Sequence, residues 1–148
     1  KGRNMMRLIC SDGLLGFEDI HDYELVEAEE PGPFMWLKAV DNDLGFILVE
    51  PGLFWENYRP EIPPDVLEAI GVNAIADTKL YIIVTVPSDP LLSTGNCFAP
   101  IVVNEESGRM RQVLLRDSDY PLKAHLFPEH IRNRKAGVVG ASPNSAQW

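Results

Sequence analysis

Short apolar runs, each stopped by turn residues, constrain the fold of this chain more than any other feature. Lys79-Leu80-Tyr81-Ile82-Ile83-Val84-Thr85-Val86 is dense in β-branched residues and stops at Pro87. Such a run favours a strand, because branched side chains fit a pleated surface. Phe34 to Val40 ends at Asp41-Asn42-Asp43, and Leu44 to Glu50 follows at once and stops at Pro51-Gly52. Two apolar runs around a short Asp/Asn loop predict a β-hairpin. Phe98 to Val103 and Met110 to Arg116 flank the polar loop Asn104-Glu105-Glu106-Ser107-Gly108-Arg109, which predicts a second hairpin. Arg7 to Cys10 and Tyr23 to Glu27 are weaker strand candidates.

One helix is expected. Pro63-Pro64-Asp65 suits a helix start, Val66, Leu67, Ala69 and Ile70 supply apolar faces, and Gly71 is placed to end it. Strands recur about every ten to fifteen residues without repeated strand–helix alternation, which favours an antiparallel architecture. The predicted class is all-β, mainly antiparallel: a small β-barrel-like or sandwich domain with one short helix. Residues 1–124 read as a single domain. Residues 125–148 turn basic and then small and polar, and read as a partly disordered C-terminal extension.

A chain of 148 residues can bury a core without disulfides or metals. Cys10 and Cys97 cannot form a disulfide framework and read as reduced, buried thiols of a cytoplasmic protein. No apolar run reaches the roughly 18 to 20 residues of a membrane span, and the N-terminal apolar stretch is too short for a signal-peptide core. The net charge is −9 and is unevenly spread. Residues 17–68 hold fourteen acids against Lys38 and Arg59, whereas residues 122–148 hold four bases and Glu129. An acidic body argues against direct nucleic-acid binding, which draws its affinity from Lys and Arg on phosphates. It suits a basic protein partner, or it simply keeps the domain soluble and monomeric.

Catalytic and metal patterns are weak. His125-Leu126-Phe127-Pro128-Glu129-His130 lacks the spacing of a zinc helix, and Pro128 would disturb the helix that must align both imidazoles. Cys10 and Cys97 sit in apolar runs, where a thiol is usually inert core. Gly13-Leu14-Leu15-Gly16 has the spacing of a nucleic-acid-clamping GxxG loop, but leucines fill it and acids flank it. It reads better as a tight turn that tucks Leu15 and Phe17 into the core. No catalytic residue, metal site or cofactor is expected.

The aromatics divide by position. Trp36 and Phe46 are expected on the inner face of the sheet, with Phe34 sharing the parity of Trp36. Phe54, Trp55 and Tyr58 follow Pro51-Gly52 and either cover a sheet edge or form an exposed interaction patch. Thr94-Gly95-Asn96-Cys97-Phe98-Ala99-Pro100-Ile101-Val102-Val103-Asn104 carries a proline inside an apolar run and an asparagine near each end. Proline cannot donate to a strand ladder, so Pro100 predicts an edge strand or a bulge. On physics alone, such an edge either accepts another chain by backbone pairing or blocks that pairing.

In order along the chain, Asp12-Gly13-Leu14-Leu15-Gly16-Phe17-Glu18, Phe34-x-Trp36-Leu37, Leu44-x-Phe46, Pro51-x-x-Phe54-x-x-x-Tyr58, Val84-Thr85-Val86-Pro87, Ala99-Pro100-Ile101-Val102-Val103-Asn104, Arg111-Gln112-Val113 and Asp117-Ser118-Asp119-Tyr120 resemble the FliW family of flagellar assembly factors over residues 7 to 122. Leu15 stands where the family usually has proline. The family carries a further first strand ahead of this region, so the first strand is expected to be cut or altered here. The basic stretch after Leu126 lies outside the resemblance. The resemblance implies a cytoplasmic bacterial protein with a small β-barrel-like fold and no catalysis, and a monomer without cofactor is expected. It implies binding to flagellin and to CsrA, an RNA-binding repressor of flagellin translation, so that sequestering CsrA relieves the repression. It tips the proline-containing strand toward recognition: Phe98, Ala99, Pro100, Ile101 and Asn104 are the expected partner surface, with Phe54 and Tyr58 beside them. The alternative is a β-barrel that carries a small ligand or an active site in its interior or mouth, with His21 and a carboxylate as candidate polar groups.

Overall fold

The computed structural model describes residues 5–29 and 32–138, with side chains described up to Asn133. Among the described residues nine strands form, in chain order β1 Met5–Ile9, β2 Asp22–Glu27, β3 Met35–Ala39, β4 Gly45–Val49, β5 Lys79–Thr85, β6 Thr94–Gly95, β7 Ile101–Asn104, β8 Arg109–Gln112 and β9 Ala124–His125. Helix α1 spans Pro64–Ile70 and α2 spans Glu129–Val138. The strands run β4-β3-β2-β1-β8-β7-β5, and β5 pairs back with β4, closing a seven-stranded barrel. Closure removes the exposed edges that an open sheet would leave. Every step is antiparallel except β1 to β8, which meet in parallel at Ile9 and Arg109. Strands β6 and β9 extend the upper half of β5 away from the barrel.

Two cores explain the sequence pattern. Leu8, Tyr23, Leu37, Leu48, Ile101 and Val103 fill the barrel interior. Val49, Ile82, Val84 and Val102 point outward into a second core, roofed by Tyr58, by Val66 and Ile70 of α1, and by Val113 and Leu115. Strand β5 is therefore covered on both faces, and its apolar run shows no alternation. Each such fully buried side chain contributes about 1.5–3 kcal/mol of transfer free energy. Strands β2 and β3 alternate instead, because their outer face meets water.

Both predicted hairpins form, in the registers Leu37↔Phe46 and Val102↔Arg111. Helix α1 starts at Pro64 and ends at Gly71 in the left-handed region, at φ 86°, where the absence of a side chain removes the steric penalty. Four expectations are corrected. Trp36 faces outward at 40% exposure, because Leu37 and Ala39 set the inward parity of β3. Phe34 packs in the outer core, with its ring centroid 6.3 Å from that of Phe54, while Phe46 does line the inner core. In the Gly13–Gly16 turn it is Leu14 that enters the interior, and Leu15 and Phe17 stay 55% and 38% exposed. Finally, β7 is not an edge: it pairs with β5 on one side and β8 on the other. Pro100 sits one residue before the ladder, where a missing N–H is tolerated, and its carbonyl oxygen accepts the Val113 N–H at 2.9 Å. Of the expected partly disordered extension, residues 125–148, α2 occupies Glu129–Val138, and residues 139–148 lie outside the described residues.

Candidate functional site

The stretch around Pro100 is an internal junction. The Asn96 side-chain oxygen accepts the N–H groups of Phe98 and Ala99, each at 3.1 Å, and turns the chain into β7. The Phe98 carbonyl oxygen accepts the Leu115 N–H at 2.9 Å, and the Ala99 carbonyl oxygen accepts from Gln112 Nε2 at 3.1 Å. At the far end, Asn104 Nδ2 donates to the last α1 carbonyl, Ile70 O, at 2.7 Å, and its Oδ1 accepts the Glu106 N–H at 3.0 Å. Asparagine suits both ends because its short amide can satisfy backbone donors and acceptors together.

Tyr58 ties a third segment to this junction. Its hydroxyl donates to the Cys97 carbonyl oxygen at 2.7 Å, and its ring meets Tyr120 edge-on at 4.6 Å between centroids. Burial drives the Tyr58 hydroxyl pKa well above the phenol range, reinforced by Cys97 and Tyr120. Phe54 and Trp55 roof the β5–β6 region, with Phe54 edge-on to Phe127 at 6.1 Å and Trp55 Nε1 donating to the His125 carbonyl oxygen at 2.9 Å. Among the seven expected partner residues, Ala99, Pro100, Ile101, Asn104 and Tyr58 are buried, and Phe98 and Phe54 are half-buried. The segment comes together with Tyr58, as one site requires, but it lies beneath the surface.

A groove of about 850 Å³ lies next to this junction, sharing Leu115, whose N–H meets the Phe98 carbonyl oxygen. It is lined by Arg59 to Pro64, Leu67, Ile75, Leu114 to Ser118 and Tyr120. A smaller groove of about 550 Å³ runs between Gly71–Lys79 and Asn104–Glu106. Both lie outside the barrel, whose interior is occupied by side chains. Two thiols are held protonated: burial first, then Asp12, lifts Cys10 to about 11, and burial lifts Cys97 to about 12. His21 Nε2 lies 2.9 Å from the Glu18 carbonyl oxygen, and burial, then Arg132, lowers the His125 pKa. Among the described residues no three His, Cys, Asp or Glu side chains group as metal ligands, and no helix is long and apolar enough to cross a membrane.

A closed seven-stranded barrel with its interior filled by side chains and its asparagines bonded to its own turns defines the class: a small packed β-barrel domain. The FliW protein family matches residues 4–126, and the chain belongs to that family. A flagellar assembly factor FliW of Leptospira interrogans is 37% identical over 118 residues, covering 78% of this chain and 79% of that protein. The flagellar assembly factor FliW of Syntrophus aciditrophicus is 36% identical over 129 residues, covering 86% and 79%, and that of Thermoanaerobacter pseudethanolicus is 33% identical over 124 residues, covering 82% of each. A crystal structure of the flagellar assembly factor FliW superposes with a TM-score of 0.78 at 31% identity, covering 83% of this chain and 86% of that one.

Sequence reasoning missed where the exposed apolar groups lie. Trp36 was legible as an apolar residue, but the strand parity that turns it outward is fixed by cross-strand register.

Proposed function

We propose that this chain is a non-enzymatic flagellar assembly factor that binds flagellin and sequesters CsrA in the cytoplasm, acting as a monomer without a cofactor. The observation that carries the reading is the FliW match across residues 4–126 on a barrel whose interior is packed. The acidic stretch of residues 17–68 suits a partner that binds RNA and is therefore basic. Phe98 and Phe54 keep accessible area for direct contact. Ala99, Pro100, Ile101, Asn104 and Tyr58 are buried and act indirectly, through the backbone they fix: Pro100 accepts the Val113 N–H, and Tyr58 holds the Cys97 carbonyl oxygen. A ligand-carrying barrel is less supported, since Tyr23, Leu37, Leu48 and Ile101 occupy the space a ligand would need. Copurification of the chain with flagellin, and separately with CsrA, tests the reading. A complex with each at micromolar concentration is expected, and no complex with either would refute it.

A further inference from the structure

One end of the barrel combines exposed apolar side chains with uncompensated acids. The β1–β2 loop and the β3–β4 loop meet there, joined by the Val40 N–H to the Asp22 carbonyl oxygen at 3.0 Å. Leu15, Phe17 and Val40 are 55%, 38% and 37% exposed at this end. The loop that carries Leu15 is held firmly. Its N–H donates to Gln112 Oε1 at 2.7 Å, Phe17 bonds back to the Leu14 carbonyl oxygen at 2.7 Å, and the Phe17 ring stands edge-on to Phe46 at 5.5 Å. A Cβ at Gly13 would lie 2.5 Å from the Glu18 backbone, so the turn is built on a contact only glycine permits. An apolar surface held this firmly loses little entropy when a partner covers it.

Around it stand Asp12, Glu18, Asp19, Asp22, Asp41 and Asp43, all exposed. Of these, only Asp12 meets a cation among the described residues, Arg111 at 2.9 Å. Lys38 lies one row further down, opposite Glu24. The charge leaves the rim open to a cationic partner, and the apolar centre gives that partner something to bury.

We propose that this rim, formed by Leu15, Phe17 and Val40 within the ring of acids, is a docking surface for a basic protein segment that carries apolar anchors among Lys and Arg residues. The proposal rests on the reading of the chain as a partner-binding factor, and it places the basic partner on this rim rather than on the groove beside Tyr120.

The test titrates the full chain with a labelled helical peptide of leucine and lysine, and in a separate arm with CsrA. Leu15→Ser with Val40→Ser changes no charge and is expected to weaken peptide binding roughly tenfold or more. Asp19→Asn, Asp22→Asn, Asp41→Asn and Asp43→Asn together are expected to weaken it similarly and to flatten its salt dependence. Neutralising Glu56, Asp65 and Glu68, which lie elsewhere, is expected to leave it nearly unchanged. Circular dichroism confirms that each variant stays folded. Equal binding by the wild type and both rim variants overturns the proposal. CsrA binding that survives the rim variants overturns it while leaving the functional reading intact. Failure of the wild type to bind CsrA and flagellin refutes that reading, and rim-dependent peptide binding would still support the surface. A wild-type dimer that the rim variants convert to monomer makes a second copy the occupant and overturns the assignment to a partner.

Discussion

The Tyr58 hydroxyl donates to the Cys97 carbonyl oxygen at 2.7 Å, joining a loop to a junction 39 positions away in sequence. Both groups are buried, so the bond has no water to replace it. Tyr58→Phe keeps the ring against Tyr120 but strands the carbonyl. It is expected to destabilise the fold by about 1–3 kcal/mol, read as a lower urea midpoint with an unchanged slope.

Tyr23 makes the opposite case. It lies fully buried inside the barrel, and its hydroxyl has no hydrogen-bond partner among the described residues. Burial, then Cys10, raises its pKa to about 12. Tyr23→Phe removes an unsatisfied polar atom and is expected to be neutral or to stabilise by up to about 1–3 kcal/mol. A lower urea midpoint for this variant would show that the hydroxyl is satisfied in solution.

Gly95 sits under Trp55. A Cβ there would lie 2.6 Å from the Trp55 ring and 2.9 Å from Ile82 Cγ2. Gly95→Ala is expected to destabilise by about 1–3 kcal/mol through overpacking and to shift the tryptophan emission as the Trp55 ring moves off β6. Unchanged emission and stability would mean that the roof gives way freely.

The two thiols predict a pH window. Folding raises Cys10 from 9.0 to about 11 and Cys97 from 9.0 to about 12. The folded state then holds protons that the unfolded state releases, so stability is fully present below about pH 9 and falls as pH rises toward 11 and 12. Native protein is expected to react slowly with a disulfide reagent at pH 8, and urea-unfolded protein rapidly. Rapid reaction of the native protein would contradict the burial of both residues.

Much of the fold was legible from the chain itself. The hairpin around Asp41-Asn42-Asp43, the helix between Pro64 and Gly71 and the strand β5 follow from turn chemistry and side-chain pattern. Parity and edges were not. Trp36 and Leu37 are adjacent and both apolar, and only pairing with Ile47 and Phe46 decides which faces inward. Pro100 signalled a strand that cannot donate at that point, but sequence does not distinguish an edge from the residue just before a ladder. The expected contact residues were drawn from the segment that organises the site. Their burial became visible only in the folded chain, where Ile101 enters the barrel interior and Tyr58 the outer core.

The proposed function is relief of CsrA repression through binding of CsrA, with flagellin as the competing occupant. The most direct measurement is cell-free translation of flagellin messenger RNA repressed by purified CsrA. Adding this chain in stoichiometric excess is expected to restore synthesis, and adding purified flagellin beforehand is expected to abolish that rescue. Translation that stays repressed at every concentration of the folded chain would contradict the account.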